Sequence, residues 1–236
     1  MISKIDIVVL AGGLGTRLRE VLPGLPKAMA PVAGRPFLDH LLVWLRAQGA
    51  RRVVLSLGYQ SAVVLQYIQD HAFPPLEIDT VVEPSPLGTA GAIAFARPAL
   101  TTDPVLVING DTFVDVDLNA FLVAHQASGA AASLVCAWLD HPGRYGRLEL
   151  DQHDWIVRFE EKDPAELEPS WINAGVYLFN GSVLDHHIAN LSCGSLERDV
   201  LGTLPPRFIH AYKTRGRFLD IGTPETLDMA SEVLQP

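Results

Sequence analysis

The residues best suited to chemistry lie early in the chain. Gly12, Gly13 and Gly15 follow the apolar run IDIVVL (5–10), then come Thr16 and Arg17, with Pro26-Lys27 further on. Glycines lack a Cβ, so their backbone amides can close on phosphate oxygens. Arg17 offers a fork of donors to a polyphosphate and Lys27 a point charge. Two cations on one loop suit a reaction in which negative charge builds on a leaving pyrophosphate. The common nucleotide loops do not fit. No glycine directly precedes a lysine, which removes G-x-x-x-x-G-K-[ST], and Leu18 stands where G-x-G-x-x-G needs its third glycine. The plain alternative is a glycine turn with two surface cations.

Such a loop needs a strand before it and a sheet around it. Residues 5–10 read as a short buried parallel strand closed by glycine. From Pro36 to Gln48 the apolar residues recur at helical spacing, with Pro36 suited to the first helical position and Gly49 to the stop. VVLSLG (53–58), a helix near 61–70, EIDTVV (77–82), a helix near 89–97 and VLVING (105–110) continue the alternation. The expected class is α/β: a Rossmann-like, doubly wound mixed sheet. In the second half ASLVCAWL (132–139), GRLEL (146–150) and WIVRFEE (155–161) favour antiparallel additions. WINAGVYLF (171–179), helical stretches near 182–190 and 195–203, FIHAYK (208–213), RFLDIG (217–222) and a helix from Pro224 to Leu234 complete the pattern. The whole of 1–236 is expected to form a single domain, with 163–170 as a mobile loop.

Composition narrows the partners. With 18 basic and 27 acidic residues the net charge is −9, which argues against broad nucleic-acid binding but leaves room for an anionic small substrate. No apolar run reaches the ~18–20 residues needed to span a bilayer, so no membrane partner is expected and a cytoplasmic location is the default. Cys136 and Cys193 match no zinc or redox spacing and read as thiols in a reducing compartment. The eight histidines are scattered, with His186-His187 read as helix surface, and no Ser/His/Asp constellation is apparent.

The loop LAGGLGTRL-x7-PK resembles the signature of the sugar-1-phosphate nucleotidylyltransferases, the nucleoside-diphosphate-sugar pyrophosphorylases. EPSPLGTAGA (83–92), INGD (108–111), FEEK (159–162), INAG (172–175) and LDIGTPE (219–225) extend the likeness over roughly residues 5–230. The resemblance implies the nucleotide-diphospho-sugar transferase fold, a nucleoside triphosphate and a sugar 1-phosphate as substrates, and Mg²⁺ as cofactor. It also implies roles. Gly12, Gly13, Gly15 and Thr16 would hold the triphosphate with Arg17, and Lys27 would contact the reacting phosphates. Glu83 and Gly88 would read the base, and Asp111 and Asp220 would hold Mg²⁺. Gly146, Glu161, Lys162 and Asn173 would bind the sugar and its phosphate.

Independent chemistry bears on these roles. Magnesium often takes one or two carboxylates plus substrate phosphates. Asp111 follows an apolar strand, at the edge where open α/β sheets build sites, whereas Asp220 sits in an apolar run that is costly for a carboxylate without a cation. A turn aspartate and a structural ion pair are the respective alternatives. Strand alternation sends Glu160 and Lys162 to one face and Glu161 to the other, so Glu161 and Lys162 can share one ligand only where the strand ends or bends. Glu83 is suited to the N1–H and 2-amino group of guanine, which favours GTP. Within the family, GRYGRLEL (143–150), WINAGVYL and RFLDIGTPE look most like the D-glycero-α-D-manno-heptose 1-phosphate guanylyltransferases. Mannose-1-phosphate guanylyltransferases and muramate-1-phosphate uridylyltransferases share most other motifs. No hexapeptide repeats are seen, so no C-terminal β-helix domain is expected. A non-catalytic sugar-nucleotide sensor would be expected to lose the loop cations or the carboxylates, and a dinucleotide oxidoreductase is disfavoured by Leu18. Oligomeric state, including a homo-oligomer, is left open.

Overall fold

The computed structural model describes residues 1–18, 21–160 and 168–234. Glu161 and Lys162, and most of the expected mobile loop, lie outside the described residues. Strand β1 (Ile7–Ala11) leads through the glycine loop to a small hairpin, β2 (Pro31–Val32) and β3 (Arg35–Pro36), and then to α1 (Phe37–Ala47). The chain continues through β4 (Arg52–Leu57), α2 (Ser61–Asp70), β5 (Glu77–Val82), α3 (Gly88–Ala96), β6 (Val105–Asn109), β7 (Thr112–Val114) and α4 (Leu118–Ser128). Strands β8 (Ala132–Leu139), β9 (Arg147–Leu150), β10 (Ile156–Glu160) and β11 (Ser170–Phe179) follow. After α5 (Gly181–Val183) come β12 (Ile209–Thr214), β13 (Phe218–Asp220), α6 (Pro224–Asp228) and α7 (Ala230–Val233).

The main sheet runs β10-β9-β11-β6-β1-β4-β5, with β8 beside β11 and β12 beside β8. Strands β6, β1, β4 and β5 are parallel, while β11 lies antiparallel to β6, β8 and β9. This is the expected doubly wound mixed sheet. The period-2 pleat of β1 distributes its apolar residues to two cores. Ile7 and Val9 pack with Leu38, Leu41 and Leu45 of α1, whereas Val8 packs with Ala90, Ile93 and Ala96 of α3.

Several local readings need correction. Pro36 caps α1 from outside rather than opening it, because its extended ψ of 146° still belongs to β3. The stretches near 182–190 and 195–203 are helical as expected, and each contains a π-helical turn, Leu184–Ile188 and Leu196–Val200. The C-terminal helix is broken at Met229 into α6 and α7. Helix α4 was not anticipated, although its ends are signalled. Asp117 accepts from Asn119 N and Ala120 N, and Gly129 closes the helix at φ +67°. Its His125 is buried between Ser133 Oγ (2.8 Å) and Asn180 Oδ1 (2.9 Å), and burial holds its pKa below the usual value. Finally, β12 runs parallel to β8: β11 ends opposite Ala132 and, after the helical segment, β12 begins opposite the same residue, so the chain re-enters the sheet at the end it left.

Candidate active site

Two cavities meet at one ion-pair cluster. The first, of about 450 Å³, lies at the carboxyl ends of β1 and β6. Its walls include Gly12, Gly13, Gly15, Thr16, Lys27, Glu83, Gly88, Asn109 and Asp111. Gly110 makes this convergence feasible. Its N–H donates to Leu10 O at 2.9 Å, and a Cβ there would stand 2.6 Å from that carbonyl. Gly15, at φ +55°, turns the loop back so that its own missing Cβ would lie 3.2 Å from Lys27 Cβ.

Beyond Gly15 the chain forms a single 3₁₀ turn, Thr16–Leu18, that buries Leu18 against Leu22, Phe113, Leu219 and Ile221. Anchoring Leu18 sends Arg17 the other way. Arg17 therefore lines the second cavity, not the first, and does not share the loop glycines' pocket as the sequence had implied.

Glu83 follows β5 and faces the first cavity. Its Oε2 accepts a hydrogen bond from Leu87 N at 2.9 Å. Burial pushes its pKa up, and the Leu87 amide only partly offsets this. The absence of side chains at Gly12 and Gly58 makes room for this carboxylate, since a Cβ on either would collide with Glu83 Oε1.

Asp111 and Asp220 are brought together by a ribbon. Strands β7 and β13 pair antiparallel, Asp220 opposite Thr112, and Ile221 N donates to Asp111 O at 3.0 Å. Lys27 Nζ lies between the two carboxylates, 2.6 Å from Asp111 Oδ2 and 3.3 Å from Asp220 Oδ1. Burial opposes the lysine's charge, but Asp111 and then Asp220 outweigh it and raise its pKa. Burial is also the main influence on Asp220 and lifts its pKa despite the pull of Lys27, with Asp111 adding to the rise. Two carboxylates thus converge on one cationic point. Among the described residues no cluster of three or more metal-binding side chains is present. A divalent ion here would need substrate oxygens to complete its shell, as magnesium commonly does.

The second cavity, of about 780 Å³, is reached across Asp220. Gly146 and Asn173 line it, together with Arg17, Arg144, Tyr145, Glu160, Ser195, Glu197 and Arg198. Asn173 is oriented by a network. Its Nδ2 donates to Tyr177 Oη (2.8 Å) and Glu197 Oε1 (3.2 Å), and its Oδ1 accepts from Gly175 N (2.9 Å). The register of β11 against β8 shifts between Asn173 and Tyr177, where Gly175 adopts φ +72° against Asn109 and Thr112. Tyr145 packs edge-on against Phe218, and burial followed by the nearby Asp220 pushes its pKa up to about 12. Arg144 Nη2 donates to Thr223 Oγ1 at 3.0 Å. Sequence reasoning missed Arg144 and Tyr145 as site residues although both stand in the quoted R-Y-G. It had no signal for Ser195, Glu197 or Arg198 beyond a helical pattern.

A Gly-rich loop at a parallel strand's end thus faces a second polar cavity across a two-carboxylate, one-lysine cluster. The family model for Nucleotidyl transferase matches residues 6–235, and the chain belongs to that family. It is 37% identical to the mannose-1-phosphate guanylyltransferase of Mycobacterium tuberculosis, over 94% of this chain and 62% of that protein. The chain thus spans less than two thirds of that relative. It is 33% identical to the D-glycero-alpha-D-manno-heptose 1-phosphate guanylyltransferase of Aneurinibacillus thermoaerophilus, covering 98% of both. Among solved structures, HddC from Yersinia pseudotuberculosis complexed with GMP-PN superposes with a TM-score of 0.87 at 31% identity, covering 98% of this chain and 100% of that one.

Proposed function

We propose that the protein transfers GMP from GTP to a sugar 1-phosphate, D-glycero-α-D-manno-heptose 1-phosphate, and releases pyrophosphate. The observation that carries this reading is the Lys27–Asp111–Asp220 cluster at the boundary of the two cavities. A phosphate of each substrate would meet there, in reach of the same charges. The glycine loop would hold the triphosphate by backbone amides, and Glu83 would accept from guanine's N1–H and 2-amino group. On the other side, Asn173 and the cations Arg17 and Arg144 would orient the sugar phosphate.

No general base is required. A phosphate monoester is largely dianionic near neutrality, its second pKa being ~6. Its oxygen attacks the α-phosphorus and pyrophosphate leaves opposite, so the protein's work is in-line positioning and charge neutralisation. Asp111 and Asp220 are the residues that would hold Mg²⁺, which when bound supplies charge neutralisation at the reacting phosphates. Lys27 would add its positive charge toward the reacting phosphate oxygens.

The relatives named for manno-heptose match over nearly their whole length, which supports heptose. Mannose 1-phosphate is the second reading, favoured by the 37% identical relative. The test is pyrophosphate release with GTP, CTP, UTP and dTTP against both sugar phosphates. The reading requires GTP with manno-heptose 1-phosphate to give the highest kcat/KM; preference for another pair overturns it.

A further inference from the structure

The two cavities are joined by a strap of backbone. Residues 192–195 cross the N-terminal turn of α3 and are stitched to it. Gly194 N donates to Leu87 O (2.8 Å), Ala90 N donates to Gly194 O (2.9 Å), and Leu196 N donates to Thr89 Oγ1 (2.7 Å). The approach is too close for side chains. A Cβ on Gly91 would lie 2.9 Å from both Cys193 Cα and Leu87 Cβ, and a Cβ on Gly88 would overlap the Gly194 carbonyl. On the helix side of this seam, Leu87, Gly88 and Thr89 line the first cavity; on the strap side, Ser195, Glu197 and Arg198 line the second. Glu197 also accepts from Asn173, so the strap position reaches the residue expected to meet the sugar.

We propose that the strap is a shared wall through which α3 sets the shape of the sugar cavity, and that Gly91 and Thr89 are positioning residues for the sugar 1-phosphate. This rests on the two-substrate reading above. The direction of the effect follows from anchoring. Helix α3 is held by buried Ala90, Ala92, Ile93 and Ala96, whereas Ser192 and Cys193 are exposed. A methyl group inserted at Gly91 therefore presses on the strap at Cys193 as well as on Leu87 at the start of α3, and the strap, which lacks the helix's buried anchors, gives way more. Removing the Thr89 acceptor leaves the N–H of buried Leu196 unpaired and frees the same segment.

The experiment compares wild type, Gly91→Ala, Thr89→Val and Thr89→Ser. Pyrophosphate release gives KM for manno-heptose 1-phosphate, and calorimetry without sugar gives the Kd for GTP. Gly91→Ala and Thr89→Val should raise the sugar KM about tenfold or more, as ångström-scale misplacement does. Because Thr89 and Leu87 also border the first cavity, the GTP Kd should move, but by a smaller factor than the sugar KM. Thr89→Ser keeps the acceptor oxygen and should restore the sugar KM. An unchanged sugar KM in both variants, or a GTP Kd that rises in step with it, overturns the proposal. Should Gly91→Ala fail to fold, the Thr89 pair decides alone. A wild type that releases no pyrophosphate with any substrate pair overturns the two-substrate reading itself, and the positioning role with it.

Discussion

The first cavity is lined mainly by glycines and small or apolar residues of the 10–16 loop, the 86–89 turn and the 109–111 strand end, whereas the second is lined mainly by charged and polar residues. Arg17, Arg144, Asn173, Glu197 and Arg198 reach the second cavity from separate parts of the chain. The contrast has a physical basis. Phosphate chains are alike in every nucleotide, and oriented amides at a strand end suffice to hold them. Sugars differ in hydroxyl pattern, and only placed polar side chains can tell them apart. Under the proposed function the first cavity would supply the reaction and the second the choice of acceptor, with the Lys27 cluster between them.

Breaking the shared cluster should have the largest effect. Asp111→Asn removes one of the two carboxylates that converge on Lys27 and should lower kcat on the order of 10³-fold, whatever the sugar. Pyrophosphate release at saturating substrates measures it. A loss confined to KM for one substrate would place Asp111 in one cavity rather than at their boundary.

The base contact should come next and should be felt on one side only. Glu83→Gln should cut kcat/KM for GTP roughly 10–100-fold, matching the ~1.5–3 kcal/mol of hydrogen bonds to a charged group. The sugar KM should not move. Substitution on the other side should mirror this: Arg144→Met should raise the sugar 1-phosphate KM about tenfold and leave the GTP Kd alone. Steady-state kinetics with each substrate varied in turn separates the two. Equal shifts in both substrates for either variant would erase the division of labour between the cavities.

The smallest effect expected is on stability. Burial holds the Glu83 pKa above its usual 4.5. A raised carboxylate pKa contributes stability that is present below about pH 4.5 and lost as pH rises through the folded value. Glu83→Gln lacks that loss. Its Tm relative to wild type, measured without ligands, should therefore rise by about 1–2 °C between pH 4 and pH 7. A difference that is flat across this range would mean that the carboxylate is solvated like an ordinary surface glutamate.

Much of the molecule was legible in the chain. The parallel half was, because β1, β4, β5 and β6 are short β-branched runs closed by glycine or polar turns, and helix spacing between them is regular. Helix α4 was overlooked because its apolar pattern is weak, Val123 facing solvent and His125 the core, although its caps are plain. The glycine loop, Glu83, Asp111, Asp220, Gly146 and Asn173 were identified as site residues because each sits in a contiguous motif, and all line one cavity or the other.

The sequence by itself determined the local chemistry: which backbone could meet phosphate, which strand ends carry carboxylates, and which residue types could neutralise charge. Contiguous motifs encode these because backbone conformation and strand alternation are set by near neighbours. Only the tertiary structure decided that Lys27 lies between Asp111 and Asp220, that Arg17 turns to the second cavity, and that residues 192–195 are bonded to the N-terminal turn of α3. Those depend on how buried Leu18, the β7–β13 ribbon and the bare face of α3 pack. Packing joins residues far apart in sequence, and no local pattern records which distant surface each will meet.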